Sequence, residues 1–195
     1  MTNYPSMDRI ADLQQLVADF AKVTRAVNLA NNGQLENDVE HSYGLAITSW
    51  YLHDKIAPEL DIEKILKYAL SHDIVELHAG DTYVFDTAAV ATKEQREYDA
   101  SEQLKLEWPD FPELTDYADG YAKKLDPEAR FVYAIDKLLP IIMIELDDAK
   151  KVWRDKEITL AMERSNKVTI HQSEIMSPYY DLLLTWLGER GNIPK

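Results

Sequence analysis

The stretch that decides the fold and the site is Ala-Leu-Ser-His-Asp-Ile-Val-Glu at residues 69–76, followed by Gly-Asp-Thr at residues 80–82. His72 lies four positions before Glu76, and Asp73 lies three before it, so on a helix these side chains share one face. A neutral imidazole beside a carboxylate gives a mixed nitrogen and oxygen site suited to Mn²⁺, Fe²⁺, Co²⁺ or Zn²⁺. Glu76 could then transfer protons at a water held by such an ion.

Two sequence-distant clusters could complete this site. One is Val-Glu-His-Ser at residues 39–42, and the other is Phe-Val-Tyr-Ala-Ile-Asp-Lys at residues 131–137. Asp136 lies in an apolar run, where a carboxylate is costly to bury unless it is paired or bound to a cation. Asp136 is therefore a candidate for the last metal ligand, with a buried lysine or arginine partner as the alternative. The second His-Asp pair, at residues 53–54, lacks a following Glu or Gly-Asp and is predicted to be structural or superficial.

The apolar residues recur at spacings of three and four, and no alternating strand pattern is visible, so we expect an all-α fold. The chain is expected to form a single domain over residues 1–195, with seven to nine helices around the metal site. A first helix at about residues 7–29 should be broken by Asn-Asn-Gly at residues 31–33. The next helices are expected at about residues 38–56 and from the N-cap Asp61 toward His72, with a helical turn through Glu76 that stops near Gly80. An ordered loop at 81–92 and a connector at 153–155 then separate further helices at about 93–107, 109–124, 127–147, 157–171 and 178–189.

Composition and charge narrow the possible partners. The chain is 46% hydrophobic and contains no cysteine, which excludes disulfides, thiolate metal sites and cysteine nucleophiles. The formal net charge of −14 would repel a nucleic-acid polymer, and no run of Lys and Arg builds a basic patch. A small anionic substrate remains possible because a bound divalent ion can dominate the field in a pocket. Residues 1–16 do not form a secretory signal and no segment is apolar enough to cross a bilayer, so we expect a cytoplasmic protein without a membrane partner.

The ordered set His41, His72-Asp73, Glu76, Gly80-Asp81 and Asp136 resembles the HD-domain phosphohydrolases. Residues 72–82, His-Asp-Ile-Val-Glu-Leu-His-Ala-Gly-Asp-Thr, are especially similar to the small all-helical branch that includes 5′-deoxynucleotidases. The resemblance implies one divalent metal ion held by His41, His72, Asp73 and Asp136. It also implies that Glu76 and Asp81 position water and exchange protons with the phosphate or the leaving oxygen. Two-metal members of the superfamily have two further histidines before the last aspartate, whereas only His78 lies in that interval here.

The same resemblance suggests a substrate contact. Arg25 lies sixteen residues before His41, roughly where the deoxynucleotidases place an arginine that contacts phosphate. Ala26 follows it, at the position where those enzymes have a tryptophan that crowds the sugar, so we expect weak discrimination between ribose and deoxyribose. The alternative for Arg25 is an ordinary solvated helix residue.

The leading expectation is a phosphohydrolase that converts nucleoside 5′-monophosphates to nucleoside and phosphate. The alternatives are a nucleoside triphosphate hydrolase on the same scaffold and a non-catalytic binding protein with the metal as a structural clip. A triphosphate would need several cations, and the sequence indicates only Arg25 and Lys137 near the site, with Lys137 about 100° away from the Asp136 face of a helix. A homodimer is also expected, because small helical HD enzymes often pair and the last helix carries more apolar surface than one core face needs. Its apolar residues are Tyr179, Tyr180, Leu183, Leu184, Trp186 and Leu187.

Overall fold

The computed structural model describes residues 4–29 and 33–194, and this part of the chain is predominantly helical, as predicted. The helices are α1 (Met7–Phe20), α2 (Asp38–Ile56), α3 (Ile62–Ser71), α4 (Glu76–Ala79), α5 (Thr87–Glu107), α6 (Glu113–Ala122), α7 (Pro127–Leu146), α8 (Ala149–Asp155), α9 (Leu160–Lys167) and α10 (Ser177–Arg190). A 3₁₀ helix, Val168–Gln172, follows α9, and two short strands, β1 (Thr24–Asn28) and β2 (Leu35–Asn37), lie between α1 and α2.

The beginnings of α2 and α3 are fixed by side-chain caps. The Asn37 side chain accepts a hydrogen bond from the Glu40 amide, and the Glu40 carboxylate accepts one from the Asn37 amide, which is a complete capping box. This cap places His41 in the first turn of α2 and gives the Glu40 side chain a structural role at the start of the helix. Asp61 caps α3 in the predicted way by accepting from the Glu63 and Lys64 amides.

Helix α7 runs through the larger of the two hydrophobic clusters and packs against α2, α3 and α6. Phe131 and Ile135, which precede Asp136 in this helix, are fully buried. Pro140 lies inside this helix. Because proline has no amide hydrogen, the carbonyl four residues earlier, that of Asp136, loses its helical hydrogen bond. The structure therefore places both the buried carboxylate and an interruption of the helical ladder at one point of α7.

The main error of the sequence-based prediction is the segment after α1. A helix was expected over residues 7–29, but α1 ends at Phe20 and β1 pairs with β2 in an antiparallel hairpin. Thr24 lies opposite Asn37 and Asn28 opposite Leu35, with an irregular register between them. The pairing partner lies about ten residues away in the chain, so local apolar spacing could not reveal the hairpin. Asn31 and Asn32, the predicted break, lie outside the described residues.

Three further boundaries differ from the prediction. Helix α5 begins at Thr87 within the expected 81–92 loop, because the Asp86 side chain accepts hydrogen bonds from the Ala88 and Ala89 amides. The expected connector at 153–155 is the end of α8. Thr159 caps α9, and the chain tightens into the 3₁₀ helix where one continuous helix was expected.

Candidate metal centre and its cavity

Three of the four predicted ligands converge. His41, His72 and Asp73 each offer one ligand atom, and these atoms all lie within 4.8 Å of one another. His72 Nδ1 is 3.0 Å from the Ala69 carbonyl oxygen. Because a carbonyl can only accept, Nδ1 carries the proton and Nε2 presents a lone pair. That Nε2 is buried and lies 2.8 Å from Asp73 Oδ2, yet it makes no hydrogen bond among the described residues. Two electron-pair donors at this separation fit a shared cation, so the donor set suits a divalent metal.

His41 is held between two carboxylates. Its Nδ1 lies 3.2 Å from Glu36 Oε2, and its Nε2 lies 2.9 Å from Asp136 Oδ1. Burial and Arg25 oppose the positive charge on the ring, but Asp136 and Glu36 prevail and raise the pKa of His41 to about 9. A metal ion at Nε2 would take the place of one proton and leave Nδ1 to donate to Glu36. Glu36 was missed by sequence reasoning because only the hairpin brings it beneath the ring.

Asp136, the fourth predicted ligand, contacts His41 but is not part of the three-atom cluster. Its Oδ2 accepts hydrogen bonds of 2.7 Å from both the Tyr121 hydroxyl and Lys137 Nζ. Burial opposes ionisation of Asp136, but Lys137 and His41 hold its pKa well below the ordinary value. The expectation that Lys137 points away from this carboxylate was wrong, because its flexible side chain bends back onto the neighbouring residue.

Glu76 lies beside this cluster as the first residue of α4. It is buried, and its Oε2 has no hydrogen-bond partner among the described residues. Burial and the nearby Asp73 raise the pKa of Glu76 to about 10, while Lys93 opposes this shift from 3.5 Å. Without a cation these neighbours keep Glu76 protonated, and the charge of a bound divalent ion would favour its ionised, proton-accepting form. Lys93 was missed because its position in α5 gives no sequence signal that it faces α4.

Asp81 lies on the wall of the same cavity, at the end of a braced turn. Gly80 has a φ of 73°, a left-handed backbone that glycine adopts without strain. Arg96 of α5 donates to the Ala79 carbonyl and, over 2.7 Å, to the Thr82 hydroxyl. The turn that presents Asp81 is thus held from both sides.

Arg25 reaches the cluster from strand β1, and it is not the helix residue that was expected. Its Nη1 donates to Asp73 Oδ2 at 2.7 Å and to Asp38 Oδ1 at 3.2 Å. Burial disfavours the charged guanidinium, but Asp73 and Asp136 keep the pKa of Arg25 well above its ordinary value. Asp38 is fully buried, and burial together with Asp73 raises its pKa to about 6. Asp38, which the sequence did not single out, therefore anchors Arg25 beside Asp73, one of the predicted ligands.

The cavity at this cluster has a volume of about 320 Å³, which is in the range of small-molecule pockets. Its wall includes Arg25, Asp73, Glu76, Asp81 and Asp136. Four lysines also line it, more cations than the sequence indicated: Lys93, Lys137, Lys156 and Lys167.

The other histidines lie away from this cluster. His53 lies in the last turn of α2, and its Nε2 is 3.0 Å from the carbonyl oxygen of Leu60, which follows the helix. Asp54 forms an ion pair with its neighbour Lys55 on the surface. His78 Nε2 lies 3.1 Å from Glu107 Oε2. No helix in the described part of the chain is long and apolar enough to cross a membrane.

A helical scaffold that brings two histidines and an aspartate together, with the aspartate also on the wall of a small cavity rich in cations, fits a metal-dependent phosphohydrolase. The family model of the HD domain matches residues 18–176, and the chain belongs to that family.

Two curated relatives are both 5′-deoxynucleotidases. The chain is 28% identical over 139 residues to the 5′-deoxynucleotidase HDDC2 of Danio rerio, and the aligned segment covers 70% of this chain and 68% of the relative. It is 27% identical over 126 residues to the 5′-deoxynucleotidase HDDC2 of Homo sapiens, which covers 63% of this chain and 60% of the relative. These identities support the family and the type of reaction.

Two solved structures are similar to this one. A predicted metal-dependent phosphohydrolase from Magnetospirillum magnetotacticum MS-1 superposes with a TM-score of 0.81 at 26% identity, covering 96% of each chain. A conserved hypothetical protein from Pyrococcus furiosus gives a TM-score of 0.52 at 29% identity, covering 66% of this chain and 75% of the other. The first match extends the likeness over nearly the whole chain.

Proposed function

We propose that this HD phosphohydrolase converts nucleoside 5′-monophosphates to nucleoside and orthophosphate. The observation that carries the proposal is the contact of Arg25 with Asp73 on the wall of the cavity that also holds Glu76. Nη1 of this guanidinium is held by Asp73 and Asp38, whereas Nη2 forms no hydrogen bond with a described residue and can donate to one phosphate beside the metal centre. The similarity to proteins named 5′-deoxynucleotidases agrees with a nucleoside monophosphate as substrate.

The proposed cofactor is one divalent ion, Mn²⁺, Co²⁺, Fe²⁺ or Zn²⁺, with His41, His72, Asp73 and Asp136 as ligands. The lone pair of His72 Nε2 and the adjacent Asp73 oxygen fit such an ion. When bound, the ion supplies Lewis acidity toward the phosphate and makes water more acidic.

The proton transfers are assigned to the two remaining carboxyl groups. In the proposed reaction a bond forms between a water oxygen and phosphorus, and the bond from phosphorus to the 5′ oxygen breaks. Glu76, ionised beside a bound cation, would take the proton that the water loses, and its buried Oε2 has no hydrogen-bond partner among the described residues that would compete. Asp81 gives a proton to the 5′ oxygen, which leaves as an alcohol, and regains one from Glu76, so that the proton lost by the water ends on the nucleoside. A structural metal clip would need neither group, so the presence of both disfavours a purely structural role for the metal.

Triphosphate hydrolysis remains the second candidate, because four lysines line the cavity. Three of them, however, already face carboxylates: Lys93 at Glu76 and Glu97, Lys137 at Asp136, and Lys167 at Glu163. Of these four cavity lysines, Lys156 is the one that makes no ion pair within 4.0 Å with a described residue. The net positive charge available to bind phosphate is therefore smaller than the number of lysines suggests. This favours a monophosphate over a triphosphate as the substrate.

The experiment is a product analysis on metal-stripped protein reloaded with one metal at a time. Matched mono- and triphosphates of ribo- and deoxyribonucleosides are supplied, and orthophosphate and tripolyphosphate are measured separately. We expect orthophosphate from the monophosphates and a weak sugar preference, because Ala26 lines the cavity beside Arg25. Tripolyphosphate release at tenfold higher kcat/KM would move the function to the second candidate.

We also propose that the protein forms a homodimer, but on a surface other than the expected one. In α10, Leu183 and Leu187 are buried, and Tyr179, Tyr180 and Trp186 pack against the chain's own core. Helix α2 instead exposes large apolar side chains on its outer side. They are Tyr43, Ile47, Trp50 and Tyr51.

A further inference from the structure

A second polar group lines the cavity and has no part in the proposed reaction. It consists of Glu163, Asn166 and Lys167 on α9 and Tyr83 in the loop before α5. Glu163 is 2% exposed and Lys167 5%. Among the described residues, Glu163 Oε2 and the Tyr83 hydroxyl are buried without a hydrogen-bond partner. Leaving buried polar atoms unpaired is costly, so these atoms indicate that a ligand completes the group.

The two charged residues present an acceptor and a donor side by side. Lys167 Nζ lies 3.8 Å from Glu163 Oε2, too far for a hydrogen bond. Burial raises the pKa of Glu163 and lowers that of Lys167, and the opposite charge of the partner resists each shift. Because the two side chains are not hydrogen-bonded to each other and both line the cavity, Glu163 can accept from a ligand there and Lys167 can donate to it.

This group belongs to the same cavity as the metal centre. Asp73, Glu76 and Asp136 lie on its wall together with Glu163 and Lys167. The charge of Asp136 also acts on Lys167, which places α9 within electrostatic reach of the metal ligands. A molecule whose phosphate lies at Arg25 can therefore extend toward α9.

The loop before α5 adds aromatic surface. The rings of Tyr83 and Phe85 meet edge to face with centroids 5.5 Å apart, and Lys156 Nζ lies 4.9 Å from the Tyr83 ring centroid. Both aromatic residues line the cavity. A planar heterocycle could stack here while its edge faces Glu163 and Lys167.

We propose that Glu163 and Lys167 form the nucleobase end of the pocket and select guanine; the inference rests on the proposed function for the placement of the phosphate. Guanine carries two adjacent donors, N1–H and the 2-amino group, next to the acceptor O6. The Glu163 carboxylate accepts from both donors, and Lys167 donates to O6. Adenine presents an acceptor at N1, cytosine one at N3, and uracil a single N–H between two carbonyls, so none of them matches this pair. A buried site built for such hydrogen bonds rejects a base that cannot make them.

The test measures binding of nucleosides without phosphate, so that it does not depend on turnover. Titration calorimetry on the metal-loaded protein with guanosine, inosine and adenosine should rank them in that order, because inosine lacks the 2-amino group. We expect guanosine to bind about tenfold or more tightly than adenosine, as the loss of hydrogen bonds to a charged group implies. Glu163→Gln should remove most of this difference, and Lys167→Met should weaken guanosine and inosine alike. The exposed Glu174→Gln is the matched control and should bind as wild type.

The outcomes separate this inference from the proposed function. Guanosine selectivity in a protein without phosphatase activity would support the nucleobase site and refute the proposed reaction. Equal affinities for the three nucleosides in an active phosphatase would overturn the inference. An unchanged preference in folded Glu163→Gln and Lys167→Met variants, checked by circular dichroism and metal content, would overturn it too.

Discussion

Removal of the carboxylate behind His41 should weaken metal binding without touching a ligand. Glu36 lies 3.2 Å from His41 Nδ1 and is 5% exposed, so water cannot readily replace it. A carboxylate in this position fixes the orientation of the ring and makes its other nitrogen a better ligand. We therefore expect Glu36→Gln to raise the metal Kd about 10-fold and Glu36→Ala up to about 100-fold, the range known for such partners. These factors correspond to about 1.4 and 2.8 kcal/mol.

The smaller effect of Glu36→Gln has a structural reason. Its amide oxygen can still accept from Nδ1, so the orientation is kept and mainly the negative charge is lost. Arg25 Nε lies 3.6 Å from the same carboxylate, so part of the loss in both variants will come from a less well placed guanidinium. Glu40→Gln is the control, because Glu40 is only four residues away but caps α2.

The assay is competition of the stripped protein with a fluorescent chelator for Mn²⁺ or Zn²⁺, with thermal melts to confirm folding. Glu40→Gln should cost about 1 kcal/mol of stability or less and leave the metal Kd unchanged. A wild-type Kd in folded Glu36→Ala would refute the reasoning, as would an equal loss of affinity in Glu40→Gln.

The remaining predictions concern the ligands, the proton-transfer group and the assembly. His72→Ala or Asp73→Ala should abolish metal binding together with activity, whereas His53→Ala on the second His-Asp pair should change neither; elemental analysis showing full metal content in the first two would contradict the ligand assignment. Glu76→Ala should keep its metal and lose roughly 10²–10⁴-fold in kcat, as for a lost acid–base group; loss of the metal would make Glu76 a ligand. Light scattering should give a molar mass of about twice the 22.4 kDa of one chain. Trp50→Glu on the exposed side of α2 should reduce the molar mass to that of a single chain. A monomeric wild-type protein would refute the dimer.

The residues with a local signature could be predicted from the sequence, and those placed by distant pairing could not. Caps at Asp61 and the start of α2 are encoded within a few positions, and the His-Asp pair with its following Glu is a local pattern. Glu36 reaches the centre only because a hairpin with an unremarkable sequence folds between two helices. Arg25 was indicated by the family resemblance, but it was expected in a helix and not in this hairpin. Lys93 likewise lies in a helix whose orientation no local feature reveals.

The hairpin that supplies Arg25 and Glu36 should also become more stable when the metal centre binds its ligands. Two strands alone are marginally stable in water, so this element depends on what its side chains contact. Arg25 and Glu36 contact the charged centre itself, so filling that centre should lower the opening rate of the amides in β1 and β2. Amide hydrogen exchange in β1 and β2 should slow when metal is added and slow further when phosphate is added as well. Equal exchange rates in the metal-free, metal-loaded and phosphate-bound protein would refute this expectation. By thermodynamic reciprocity, the ion and the anionic ligand would each tighten the binding of the other through the order of this short hairpin.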